Sequence, residues 1–305
     1  MGKSKKQQKL ARVKAMEKAE PVSVTAMLTV PSGSVSLTDL DPRATPGFTG
    51  DKADAKAAMG DLGQLLSEFQ ERLFANGRSG GNRRILLVLQ GMDTSGKGGV
   101  MRHAVSLFDP QGVRIKSFKT PTAEERRNGF LWRVRRELPE AGMIGIFDRS
   151  HYEDVLAARV RGLDAASTIT KRYDSINAFE DKLVESGTTV VKAMLHISPE
   201  TQKRRLLARL DDSTKYWKYN PGDLEDRALW SDYQHAYEVA LERCNTAAAP
   251  WLVVPSDRKW YRNWAIASVL RETLEGMDLR WPEADFDVDQ QRRLLSASDP
   301  LQERP

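Results

Sequence analysis

One cysteine, Cys244, stands among the 305 residues. That excludes an intrachain disulfide and a zinc cage built from thiolates. The four histidines, His103, His151, His196 and His235, show no metal-ligand spacing. No nucleophile triad stands out. No apolar run reaches membrane-spanning length. The first residues carry no hydrophobic signal segment, so the expected location is the cytoplasm. Met1-Gly2 looks like the start of an acylation signal, but Lys6 occupies the position that requires Ser or Thr.

What is present is positive charge and a sufficient core. The net charge is +5 and the hydrophobic fraction 40%, with a pI near 9.2. Such a balance favours polyanionic partners: nucleic acid, a membrane surface or a phosphate-rich substrate. Residues 1 to about 50 read as a tail. Lys3, Lys5, Lys6, Lys9, Arg12 and Lys14 crowd its start, and Pro, Gly and Ser punctuate the rest. Helical spacing begins near Ala55. Strands are expected at 85–89, 113–118, 143–148, 188–197 and 251–255. Helices are expected near 97–107, 123–137, 152–161, 171–186, 199–211, 223–246 and 260–275. This alternation predicts an α/β fold, a five-stranded parallel sheet with helices on both faces. The domain is expected over 51–280, with a C-terminal tail at 281–305.

The most informative segment is Gly91-Met92-Asp93-Thr94-Ser95-Gly96-Lys97, directly after the apolar run Ile85–Leu89. A strand, a glycine-bounded loop and a lysine heading a helix make a phosphate-binding P-loop. Backbone N–H groups from Met92 through Gly99 converge on phosphate oxygens, and Lys97 reaches the outer ones. Gly98 replaces the Ser or Thr whose hydroxyl normally meets magnesium, and Asp93 adds an acid inside the loop. A carboxylate facing a phosphate requires a cation between them, so Asp93 is expected to support Mg²⁺.

A second apolar strand ends in Asp148-Arg149-Ser150. Its carboxylate would emerge beside the phosphates and hold the same ion, while Arg149 would bridge donor and acceptor phosphates. Lys119 at a strand end, and Arg126 and Arg127 in a first helical turn, are further phosphate contacts. His151 and Glu153 follow the Asp-Arg pair and are candidate substrate contacts. Ser198-Pro199 starts a helix on which Gln202, Arg205 and Arg209 share a face, with Lys215 and Lys218 in the loop beyond. This basic segment, about 199–222, is expected to close as a lid over a polyanion.

Taken together, the segments 91–99, Lys119-Thr120-Pro121-Thr122, 147–155, Lys215-Tyr216-Trp217-Lys218-Tyr219 and Asp226 through Tyr237 resemble polyphosphate kinase family 2 over roughly residues 50 to 280. The resemblance implies Mg²⁺-dependent phosphoryl transfer between inorganic polyphosphate and nucleotides, with a P-loop kinase-like fold. It implies Asp93, Lys97, Asp148 and Arg149 as the catalytic set and Arg209 as a lid arginine on the polyphosphate side. It extends to a homo-oligomer, with no nucleic-acid or membrane partner. Ser150-His151-Tyr152-Glu153-Asp154-Val155 looks like the branch that accepts AMP as well as ADP. Two rival readings are an ATP-dependent nucleoside monophosphate kinase and a non-enzymatic RNA-binding protein. The second lacks clustered aromatics for base stacking and leaves Asp93 and Asp148 without a role.

Overall fold

The computed structural model describes residues 23–298. In chain order these form α1 (Val24–Leu28), α2 (Lys52–Arg78), β1 (Arg84–Gln90), α3 (Lys97–His103), β2 (Val113–Ser117), α4 (Ala123–Arg127) and α5 (Trp132–Arg135). Then follow β3 (Ile144–Asp148), α6 (Ala157–Val160), α7 (Ala166–Glu185), β4 (Thr188–His196) and α8 (Pro199–Leu210). The last are α9 (Gly222–Ala228), α10 (Trp230–Arg243), β5 (Trp251–Pro255), α11 (Lys259–Glu275) and α12 (Val288–Ala297). No helix among them is long and apolar enough to cross a membrane.

The five strands are all parallel, in the order β2-β3-β1-β4-β5. Successive side chains on β1 leave opposite faces, which is why an unbroken apolar run is needed there. Leu86 and Val88 join a core with α7 and α10 through Tyr173, Ile176, Phe179, Ala236 and Tyr237. Ile85, Leu87 and Leu89 join a second core with α2 and α11 through Leu66, Leu73, Ala265 and Val269. Leu89 lies in register with Asp148, so the ends of β1 and β3 emerge together. In an open parallel sheet, ligands bind beyond these carboxyl ends.

Three expected helices are broken. In place of one helix over 123–137, α4 stops at Arg127, because Asn128 is extended ahead of Gly129. Its start is fixed by a capping box: Thr122 accepts from the Glu125 N–H, and Glu125 accepts from the Thr122 N–H. The 223–246 helix divides at Leu229, and the 152–161 helix begins as a 3₁₀ turn over His151–Asp154.

The tail reading requires correction from residue 23 onward. Val24, Leu28, Val30 and Leu37 are buried. Glu272 on α11 accepts hydrogen bonds from Ser23 Oγ (2.8 Å) and the backbone N–H groups of Val24 and Thr25 (both 2.9 Å). Val30 N–H donates to Trp251 O (2.9 Å), and Tyr261 Oη donates to Pro46 O (2.8 Å). Residues 23–50 are therefore a strap across the end of the sheet. Its buried apolar residues are spaced too irregularly to show a period. The basic cluster from Lys3 to Lys14 lies outside the described residues. In the expected C-terminal tail, α12 forms but buries none of its residues.

Candidate active site

Gly91 and Gly96 take φ values of +144° and +111°, and Thr94 takes +65°. These left-handed positions fold the loop back so that Lys97 Nζ donates to Gly91 O at 2.8 Å. Lys97 is 9% exposed. Burial and the nearby Arg149 lower its pKa, against the pull of Asp93, Asp148 and Glu153. Gly91 N–H donates to Tyr237 Oη at 3.1 Å, anchoring the loop's first residue to α10. Met92 packs into the core. Thr94 Oγ1 and Ser95 Oγ are buried without a protein partner, and such groups in a native fold call for a ligand or water.

Arg149 follows β3 with φ +64°, and its N–H bonds to Leu89 O at 3.0 Å. This carries its guanidinium across the loop. One N–H donates to Asp93 Oδ1 at 2.7 Å, and Glu153 Oε2 lies 3.5 Å from the other side. The Glu153 and Asp93 charges raise the Arg149 pKa despite its burial. For Asp93 burial acts upward, but Lys97 and Arg149 outweigh it and hold the carboxyl below the usual range. Glu153 goes the other way: burial raises its pKa, and Arg149 and Lys97 only partly offset this. Gln90, with its amide turned so that Nε2 donates to Glu153 Oε1 at 3.1 Å, supports that carboxylate. Asp148 accepts from Ser117 Oγ at 3.3 Å.

A cleft opens beside this group. It is lined by Gly91, Met92, Asp93, Arg149, Glu153, Leu156, Asp226, Tyr233 and Tyr237. Tyr233 Oη and Arg161 both donate to Asp226 Oδ1, at 2.8 and 2.6 Å.

The structure thus brings Asp93, Lys97, Arg149 and Glu153 into one interacting cluster, with Asp148 at the adjoining strand end. Other expected positions differ. His151 is fully buried and points away from solvent, its Nε2 3.2 Å from Glu180 Oε1. Glu180 also accepts from Tyr152 Oη and Lys192 Nζ, at 2.9 and 2.6 Å. The expectation that His151 touches substrate is therefore corrected: the 3₁₀ turn directs it into the core. Lys119 and Arg127 are exposed, and Arg126 donates to Pro121 O at 3.0 Å; none of the three lines the cleft.

On the lid, Gln202 is buried and donates to Asp93 O at 3.2 Å, while Arg227 donates to Gln202 Oε1 at 3.0 Å. Arg209 donates to Lys218 O (2.7 Å) and Asp223 Oδ2 (3.1 Å), which closes the lid segment on itself. Lys215 pairs with Asp212 at 2.5 Å, and Lys218 lies over the Trp217 ring. Arg205, expected to face polyphosphate, instead directs its guanidinium at four backbone carbonyls: those of Thr94, Ser95, Ser256 and Asp257. Sequence reasoning missed Arg262, whose guanidinium lies against the loop glycines. No local signal marks it, since its stretch of helix, Tyr261–Leu270, also carries Asn263 and Ser268 among the apolar residues.

A phosphate loop with a buried lysine, an acid inside the loop and an Asp-Arg pair beside it on the neighbouring strand is a phosphoryl-transfer arrangement. Comparison with known proteins agrees. The family model for polyphosphate kinase 2 (PPK2) matches residues 49–282. An AMP/ADP-polyphosphate phosphotransferase of Meiothermus ruber is 44% identical over 255 residues, covering 84% of this chain and 94% of that protein. An ADP-polyphosphate phosphotransferase of Rhodopseudomonas palustris is 41% identical over 232 residues, covering 72% of this chain and 79% of that one. The crystal structure of polyphosphate kinase 2 from Arthrobacter aurescens TC1 superposes with a TM-score of 0.89 at 51% identity, covering 92% of this chain and 99% of that chain. With the sheet, the loop and the sequence in agreement, the chain belongs to the polyphosphate kinase 2 family.

Proposed function

We propose that this enzyme transfers a phosphoryl group between inorganic polyphosphate and nucleotides, with AMP and ADP as acceptors. The observation that carries the reading is the pairing of an anion-binding loop with a cleft that opens from its first residues on the Arg149 side. The loop suits the phosphate donor, and the cleft suits the acceptor. In the transfer, a terminal phosphate oxygen of the nucleotide attacks the end phosphorus of the donor chain. One P–O bond forms, the bridging P–O bond breaks, and the donor leaves one phosphate shorter. The protein's part is positioning and charge. Lys97 and Arg149 neutralise the phosphoryl oxygens as charge moves between donor and acceptor. Burial presses the Lys97 pKa down, whereas the Glu153 and Asp93 charges raise that of Arg149.

The donor set fits Mg²⁺. That ion prefers hard oxygen ligands and is bound by one or two carboxylates together with waters and substrate phosphates. Asp93 and Asp148 would hold the ion, which would supply charge neutralisation between the phosphates. Nothing lies within 4 Å of a Cβ built on Gly98, so the usual hydroxyl is absent for reasons other than space. The acid at Asp93 takes over its electrostatic task.

Arg209, Lys215 and Lys218 belong in this reading to the polyphosphate side of the lid, and Glu153 to the acceptor side. A cytoplasmic homo-oligomer built on the 51–280 unit completes it; sedimentation velocity tests the assembly. The central experiment incubates the protein and Mg²⁺ with polyphosphate and AMP, ADP, GDP or ATP, and separates products by anion exchange. Transfer to AMP and ADP is expected. Transfer from ATP but not from polyphosphate would replace the reading with a nucleoside monophosphate kinase.

A further inference from the structure

Two guanidinium groups lie on the carbonyl side of the phosphate loop. Arg262, on α11, is 2% exposed. It donates to Ser95 O at 3.2 Å and to Asn263 Oδ1 at 2.8 and 3.2 Å. Arg205, on α8, donates to Thr94 O at 2.8 Å and to the same Ser95 O at 3.1 Å. Every acceptor of this pair is a carbonyl or an amide oxygen. Among the described residues no carboxylate lies within the 4.0 Å ion-pair distance of either.

Arg262 is flush with the loop backbone. A Cβ on Gly96 would fall 1.7 Å from its Nη1, and one on Gly99 would fall 2.3 Å from its Nη2. The glycines at 96 and 99 thus leave room for the guanidinium beneath them, while Gly98 faces open space.

A buried cation without a counter-charge is costly, and proteins supply a partner for it. Burial and the adjacent Arg205 both press the Arg262 pKa down, as expected for a charge lacking compensation. A peptide's N–H and C=O point in opposite directions. Holding the Ser95 carbonyl from below therefore turns the Gly96 N–H to the phosphate side.

We propose that Arg262, aided by Arg205, is a positioning residue for the phosphate donor: it fixes the Ser95–Gly96 peptide for anion binding, and the bound phosphate chain balances its charge. The proposal rests on the phosphoryl-transfer reading for the identity of the donor, but its test does not require turnover.

The test uses the full chain, Arg262→Met and Arg262→Lys. Thermal unfolding is followed with and without tripolyphosphate, and steady-state rates are measured with polyphosphate and ADP. A ligand that binds only the folded state raises Tm in proportion to its binding free energy. Tripolyphosphate should raise the wild-type Tm. Arg262→Met should unfold within a few degrees of wild type when unliganded, yet lose more than half of that rise. Its KM for polyphosphate should increase about tenfold or more, with KM for ADP changed less than about threefold. Arg262→Lys keeps charge without the planar fork and should fall between the two. If Arg262→Met is not recovered folded, Arg262→Lys decides by the same two measurements. A variant that melts lower when unliganded but keeps the full tripolyphosphate rise and the wild-type KM would overturn the proposal, as would a wild type that tripolyphosphate fails to stabilise. A wild type that is stabilised by tripolyphosphate but transfers no phosphoryl group would instead overturn the functional reading.

Discussion

The Arg149 guanidinium donates to Asp93 Oδ1 at 2.7 Å, joining the residue that follows β3 to the acid inside the phosphate loop. Each holds the other's charge in place, and the proposed transfer uses both at the phosphates. Asp93→Asn should therefore lower kcat by at least about 100-fold and shift half-saturation by Mg²⁺ to higher concentration, since it removes an anionic oxygen and releases Arg149. Asp148→Asn should do the same while leaving the Arg149–Asp93 hydrogen bond in place. A metal titration of both variants checks this; an unchanged titration and rate for Asp93→Asn would reject its metal role.

Lys97→Ala should abolish transfer while leaving the fold intact. The side chain is buried and its only described hydrogen-bond acceptor is Gly91 O, so the variant gives up a desolvated charge rather than a packed anchor. A loss of roughly 10³-fold or more in kcat/KM is expected, corresponding to ~4 kcal/mol of transition-state stabilisation. Circular dichroism and Tm should stay near wild type. Turnover within about tenfold of wild type would remove Lys97 from the catalytic set.

Arg209 links Lys218 O and Asp223, and so ties the end of α8 to the far end of the lid segment. Arg209→Ala should raise KM for polyphosphate or lower kcat, with a smaller effect on nucleotide binding measured without donor. Asp223→Ala should reproduce part of the effect. The double variant should lose less than the sum, because the two residues act through one contact. Equal losses in nucleotide binding would place Arg209 at the acceptor instead.

Glu153 lines the cleft proposed for the acceptor and stands 3.5 Å from Arg149. AMP presents its only phosphate where ADP presents its second, so its ribose and base must sit one phosphate deeper. Glu153→Asn should reduce kcat/KM with AMP more than with ADP. Parallel assays of the two acceptors decide; equal reductions would leave Glu153 with only its electrostatic role toward Arg149.

The strap is sensitive to acid. Burial raises the Glu272 pKa, but hydrogen bonds from Thr25, Ser23 and Val24 outweigh this and hold it below 4.5. A carboxylate whose folded pKa is depressed contributes stability that is fully present above its unfolded value and is lost as pH falls through the folded one. The contribution should decline as the pH falls below the ordinary glutamate range and be gone once it passes the depressed folded pKa. Glu272→Gln should lower Tm by a few degrees at pH 7, and the gap from wild type should close as the pH is lowered. Thermal scans across pH 3 to 7 measure it, and a gap independent of pH would contradict the assignment.

Four strands, β1, β3, β4 and β5, were legible as largely apolar runs, the composition that parallel strands buried on both faces need. The strand β2, at the sheet edge, shows only the alternation Val113-Arg114-Ile115-Lys116-Ser117. The phosphate loop and Asp148-Arg149 were legible because their chemistry is local in sequence. Arg205 was not, since a basic helix face looks the same whether it meets solvent, a polyanion or backbone carbonyls. His151 was misplaced because one 3₁₀ turn in place of an α-helix rotates it from the cleft into the core. Arg262 depends on a contact between α11 and a loop 167 positions earlier, which no local pattern records.

The strap also has a consequence for the order in which the chain completes itself. During synthesis, residues 23–30 emerge early, but the groups that receive them, Trp251 and Glu272, emerge some 220 to 250 positions later. Until then Val24, Leu28 and Leu37 have no core to enter, and pairing across such sequence separation is slow. The segment that emerges early is therefore among the last to seat. A chain stalled before α11 would leave these apolar residues exposed to chaperones, and a piece started at residue 49, where the family match begins, would uncover the part of α11 and β5 that receives Val24 and Leu28.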